Sequence, residues 1–89
     1  MEDWILYDDT EKTSTRYVGY AGNHGRFDLA ITTTAHFYGK TLVTLIQTGR
    51  TAILNQDEAT DIAYLMHAFH VTKEDEATEL SEFLTSNLL

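Results

Sequence analysis

Polar and apolar residues alternate through the first 54 positions, a pattern that predicts β-strands. Phe27, Leu29 and Ile31 share one face of such a strand, and Asp28 and Ala30 point to its other face. Short connections favour antiparallel pairing, because a parallel crossover needs a dozen or more residues. We expect an antiparallel sheet of about five strands over residues 4–54, with strands near 4–7, 15–21, 27–33, 41–48 and 52–54.

The hydrophobic period changes after position 55 and predicts two C-terminal helices. Ile62, Leu65, Met66 and Phe69 have helical spacing, so we predict a helix at about 57–69, capped by Asp57. An alternative ends that helix early and makes residues 64–71 a strand. A second apolar stripe predicts a helix at about 73–87, with a capping box starting at Thr72.

Strands followed by helices indicate an α+β fold, with both helices packed on one face of the sheet. The 89 residues are expected to form a single domain, 1–89. The chain has no cysteine, which excludes disulfides, thiolate metal sites and cysteine catalysis.

A formal net charge of −8 argues against nucleic acid and anionic membranes as partners. No apolar run approaches the length of a membrane span, and the N-terminus is acidic where an export signal needs positive charge. We therefore expect a cytoplasmic protein. The charge is unevenly distributed: residues 1–12 carry net −4, residues 13–56 net +3, and residues 57–89 net −7.

No catalytic set, metal site or cofactor motif is recognised. Tyr38-Gly39-Lys40-Thr41 ends like a phosphate-binding loop but lacks the earlier glycine, since Thr34 stands there. His67 and His70 are spaced to meet on a helix, yet they lack a third ligand in a known motif. We expect neither catalysis nor a bound metal or cofactor.

The basic residues of the middle block supply the candidate ligand site. Arg26 and Asp28 lie two apart on one strand face, where Arg16 of the preceding strand can join them. Arginine binds phosphate and carboxylate in a bidentate manner. The candidate ligand-binding residues are Arg16, His24, Arg26, Asp28, Lys40 and Arg50. In the intramolecular alternative, these bases neutralise the acidic helices.

Two functions follow from these features. The first is a non-catalytic interaction or regulatory module that self-associates, as a homodimer, and can bind another protein through its edge strands. The alternative is a binder of a small anionic ligand, or a minor enzyme acting on one, at the basic face of the sheet.

Several separate segments resemble one family of short acidic proteins from Firmicutes, of the Bacillus and Staphylococcus type. These segments are Leu6–Thr10, Arg26–Ile31, Tyr38–Thr41, Gln47–Arg50 and the acidic stretch Glu74–Leu84. The family carries a domain-of-unknown-function label. The resemblance implies a one-domain bacterial cytosolic protein and brings no activity, cofactor or site residue.

Overall fold

A computed structural model describes residues 3–88 and shows an α+β architecture. Its sheet has four antiparallel strands in the order β1-β2-β3-β4. The strands are β1 (Ser14–Ala21), β2 (Arg26–Thr33), β3 (Thr41–Leu45) and β4 (Arg50–Leu54). The prediction of an antiparallel sheet is confirmed, and the prediction of five strands is wrong by one.

The missing fifth strand is the segment Trp4–Tyr7. These residues have the apolar and aromatic composition of a strand, but they form no strand in this structure and remain 70–91% exposed. A strand forms only where a neighbouring strand accepts its backbone hydrogen bonds. Composition alone therefore misassigned this segment.

The β3–β4 connection takes up the last residues of the strand predicted at 41–48. Leu45 pairs with Arg50, so four residues, 46–49, form the loop. Gly49 closes it with φ +71°, and its N–H donates to the Leu45 carbonyl at 2.9 Å. A positive φ strains residues that carry a Cβ, which explains glycine at the end of the loop.

Three helices follow the sheet: α1 (Gln56–Ala59), α2 (Ile62–Phe69) and α3 (Glu74–Asn87). The predicted helix at 57–69 is thus two helices, because Asp61 interrupts it with extended backbone and caps α2 through Tyr64 N–H at 3.0 Å. Asn55 caps α1 in a capping box with Glu58, so the predicted cap Asp57 is wrong. The alternative strand at 64–71 is also wrong.

Helix α3 begins one residue later than its predicted capping box requires. Lys73 is the N-cap residue, and its side chain makes no capping hydrogen bond. Three acids in the first turn, Glu74, Asp75 and Glu76, face the positive end of the helix dipole instead. The helix itself, predicted at 73–87, is confirmed as Glu74–Asn87.

The helices pack on one face of the sheet, as predicted. Phe27, Leu29 and Ile31 point to the helices and are no more than 4% exposed. They meet Leu65 and Phe69 of α2 and three buried residues of α3: Ala77, Leu80 and Leu84. Among residues 3–88, no helix combines the length and apolar content that a membrane crossing requires.

Candidate functional site

The sheet face opposite the helices is the candidate site. Strand register places eight residues there in two rows that run across all four strands. We call this surface the open face; it consists of Thr15, Thr32, Leu42 and Ile53 in one row and Tyr17, Ala30, Thr44 and Thr51 in the next. All eight are uncharged in a chain whose net charge is −8.

Hydroxyl pairs organise the open face. Thr15 and Thr32 share a hydrogen bond at 2.9 Å, and Thr44 and Thr51 share one at 2.8 Å. Such cross-strand pairs fix the side chains and satisfy part of their hydrogen-bonding capacity. Tyr17 stands above its row at 81% exposure. The eight residues therefore form an ordered, mildly apolar surface without charge, and the Arg26–Asp28 pair lies beside them on the same side of the sheet.

Strand β1 gives the open face a free edge. The register of β1 with β2 is continuous, and Gly22 N–H donates to the Gly25 carbonyl at 2.8 Å in the turn. Because hydrogen-bonded and non-bonded pairs alternate in an antiparallel ladder, the outward backbone groups belong to every second residue. These residues are Thr15, Tyr17, Gly19 and Ala21, which also point their side chains to the open face.

Glu11 fixes the N-terminal segment to the far end of β2. Its carboxylate accepts hydrogen bonds from the Thr34 hydroxyl at 2.6 Å, the Ala35 amide at 3.1 Å and His36 Nδ1 at 2.9 Å. These donors hold the pKa of Glu11 below its usual value, the Thr34 hydroxyl having the largest effect. The side chain of Tyr7 lies 6.0 Å from the His36 ring, centre to centre.

The predicted ligand residues do not share one face of the sheet. Arg16 pairs in register with Ile31, so its side chain lies on the helix side, where Nη2 is 3.4 Å from Asn87 Oδ1. Arg26 and Asp28 point to the other side and contact each other at 3.3 Å. Residues on opposite faces of a sheet cannot bind one small ligand together.

Lys40 and Arg50 are also separated. Lys40 Nζ contacts Glu58 Oε1 of α1 at 3.2 Å. Arg50 Nη2 donates to His70 Nδ1 at 3.3 Å, at the end of α2. Lys40 therefore fits the alternative in which the bases neutralise the acidic helices, because its partner is a helix carboxylate. Arg50 does not fit that alternative, because it lies beside a histidine.

His24 lies at the β1–β2 turn, in a cleft of about 830 Å³ against α3. Its Nδ1 is 3.4 Å from Asp75 Oδ2. The carboxylate of Glu79 accepts hydrogen bonds from the Asn23 and His24 amides at 2.6 and 2.9 Å. The charged residues that line the cleft are one base, Lys73, and four acids, Glu74, Asp75, Glu79 and Glu82, so its net charge is negative and repels an anion.

A second cleft, of about 340 Å³, lies where β4 meets the end of α2. Arg50, His67, His70 and Thr72 contribute its polar groups, and no acid lines it. It contains one predicted ligand residue, Arg50, together with the two histidines that the sequence grouped as neighbours. Among residues 3–88, no three His, Asp or Glu side chains are placed to hold a metal ion.

Sequence reasoning assigned the open-face residues to strands without recognising a site. The available signal was the run of uncharged residues at matching positions of four consecutive strands, which becomes visible only once their register is known. Glu11 and Glu79 carry no local signal in the sequence that sets them apart from the other acids. Their role depends on backbone amides 24 and 55 positions away in sequence, respectively.

These features define a small α+β protein with a one-sided sheet: helices cover one face, and none of the helices or strands within residues 3–88 covers the other face or the edge of β1. The chain belongs to the SAV0927-like family, whose model matches residues 6–86. No curated protein matches it. The family description carries no activity, substrate or cofactor, so membership supports the uncharacterised family expected from the resemblance and assigns no function.

Proposed function

We propose that the protein is a non-catalytic interaction module that self-associates through the open face of its sheet. The main observation in support of this proposal is that eight uncharged residues, aligned across the four strands, form an ordered surface opposite the helices. Interface centres are depleted of charge and enriched in tyrosine, as this surface is. The occupant we propose is a second copy of the chain.

Charge distribution supports a second copy as the partner. The residues from 57 onward carry net −7 and lie mainly in the helical layer, on the side away from the open face. Two copies joined through their sheets keep these acidic layers on the outside, separated by both sheets. At physiological ionic strength, charges further apart than about 8 Å are largely screened.

Size exclusion with light scattering tests the proposal. We expect a mass near twice 10.1 kDa at high micromolar concentration. Thr44→Lys places a charge in the middle of the open face and should shift the protein to monomer, because two like charges then oppose each other. Ser86→Lys, on the exposed side of α3, is the matched control and should leave the dimer intact.

The result that contradicts self-association is a mass of 10.1 kDa for the unaltered chain at every concentration. A dimer that persists in Thr44→Lys would place the interface elsewhere. Circular dichroism of both variants confirms that the substitutions leave the fold intact, which is expected because neither site contributes to the core.

An anion-binding function has a specific observation in its favour, the cleft of Arg50, His67, His70 and Thr72. It offers a guanidinium and a hydroxyl with no acid among its lining residues. We propose phosphate or carboxylate as the ligand class. The separation of Arg16, Arg26 and Lys40 from Arg50 leaves this cleft as the best-supported location.

Thermal unfolding in inorganic phosphate tests the anion site. Phosphate at about 100 times its dissociation constant should add about 2.7 kcal/mol of stability. Arg50→Gln should remove that gain, whereas Arg26→Gln, on the other face, should retain it. Equal stabilisation of both variants, or none for the unaltered chain, contradicts the site.

We also propose that residues 1–89 form one domain, supported by the one hydrophobic core that joins sheet and helices. A cytoplasmic location and a Firmicute source are further proposals. The absence of cysteine supports the first, and the family name, a Staphylococcus locus tag, supports the second.

A further inference from the structure

We propose that Trp4–Tyr7 is a donated strand, which pairs with the free edge of β1 in a second copy of the chain. This inference rests on the proposed self-association and names the segment that completes the interface. It explains why a strand-like sequence has no strand partner among residues 3–88 of its own chain.

Interface area gives the first argument. Strands of eight, eight, five and five residues, each residue rising about 3.4 Å and neighbouring strands lying about 4.8 Å apart, make a sheet face of about 420 Å². A stable complex buries about 800 Å² on each partner. The open face is therefore too small by itself, and four consecutive exposed apolar residues are available to extend the interface: Trp4, Ile5, Leu6 and Tyr7, which are 80, 78, 91 and 70% exposed.

The edge of β1 is open to receive a strand. Natural edge strands are protected by proline, bulges or inward charges. Strand β1 has no proline and its register with β2 is unbroken, so of these features it has only one inward charge, Arg16, which contacts Asn87. Outward backbone groups at Tyr17 and Gly19 lie two residues apart, the spacing that a short antiparallel strand requires.

The path of the chain excludes pairing of this segment with its own β1 edge. Contacts of Glu11 with Thr34–His36, and of Tyr7 with His36, carry the segment across the end of β2 toward β3. The free edge of β1 lies on the opposite side, because the strand order is β1-β2-β3-β4. The segment can therefore pair with the β1 edge of a second copy, whereas the β1 edge of its own chain lies on the opposite side of the sheet.

Shape and charge agree with donation. The radius of gyration is 14.5 Å, against about 12 Å for a compact chain of this length, so part of the molecule projects. Residues 1–12 carry net −4 and residues 13–56, which include the receiving edge, carry net +3. Complementary charge favours this encounter over association of two like segments.

A double proline variant tests the donated strand. Ile5→Pro with Leu6→Pro removes two consecutive donors, so one of them is lost from the ladder in either register. We expect the dimer dissociation constant to rise about tenfold or more. The matched control, Ile5→Val with Leu6→Val, keeps both donors and the apolar character and should dimerise normally. Neither variant alters the core, since both side chains are exposed.

Amide exchange and tryptophan fluorescence report the pairing directly. In the dimer, the Tyr17 and Gly19 amides should exchange about tenfold more slowly than in the diluted monomer, while Val18, already bonded to β2, should change little. Trp4 is the only tryptophan, so its emission should shift to the blue as concentration rises. The double proline variant should lose both effects.

Three other outcomes would each contradict a different part of the proposal. A dimer that persists in the double proline variant overturns strand donation and leaves self-association standing. A monomer at every concentration overturns self-association, and the donated strand with it. Protection of Tyr17 and Gly19 that is independent of concentration overturns the second copy as the receiver, because it places the segment on its own edge.

Discussion

Two carboxylates show how a single residue in this chain positions a whole segment. Glu11 and Glu79 each accept two or three hydrogen bonds, and each set includes backbone amides distant in sequence. Hydrogen bonds to ionised groups are about twice as strong as neutral ones. Most other acids of this chain lie exposed, so the count of charges says little about which of them hold the structure together.

The Glu11 contact should depend on pH. The lowered pKa means that the contact is fully present above the usual carboxyl range and is lost as the pH falls through the lowered value. We expect the Ala35 amide resonance to titrate with a midpoint below that of an ordinary glutamate. Glu11→Gln should abolish this titration and loosen residues 3–10.

Asp8→Asn is the control for that measurement, because Asp8 is exposed and lies in the same segment. It should leave the Ala35 titration unchanged. A midpoint at the ordinary glutamate value in the unaltered chain would contradict the assigned contact.

At the scale of elements, boundaries depend on caps and partners more than on periodicity. Residues 57–69 have one helical pattern, yet Asp61 splits them by adopting an extended conformation and capping α2. His70 ends that helix in the left-handed region, with φ +57°. The predicted helical content was therefore correct and the predicted number of helices was not, since local capping competes with continuation of the helix.

Glu79 joins two elements, the β1–β2 turn and α3. Glu79→Gln leaves one amide of Asn23 or His24 facing an NH₂ group, and the site is only 8% exposed. We expect a loss of about 1–3 kcal/mol in the free energy of unfolding. Urea denaturation measures it.

Glu82→Gln provides the comparison, because Glu82 lies in the same cleft and helix but is exposed. Its effect should stay within about 0.5 kcal/mol. Equal losses in the two variants would show that overall charge, and not the contact with the turn, determines the effect of Glu79.

The whole molecule separates its charge into layers. The helical layer contains most of the acids, the sheet is weakly basic, and the eight residues of the open face are uncharged, with the Arg26–Asp28 pair beside them. A small domain buries little apolar surface in its core, and an uncovered sheet face adds nothing to that buried surface. Self-association with a donated strand would bury part of the uncovered sheet face and the side chain of Trp4. The dimer mass and the tryptophan fluorescence therefore both measure this burial.

The sequence by itself determined the type of most elements, their antiparallel order and the three charge blocks. Alternation, helical spacing and composition are local properties, and they survive folding. Only the tertiary structure decided that Trp4–Tyr7 remains unpaired, that Arg16 and Arg26 lie on opposite faces, and that Glu79 binds the turn. Those outcomes depend on strand register and on contacts between residues distant in sequence. A local sequence pattern does not show how much these contacts contribute to the free energy of folding.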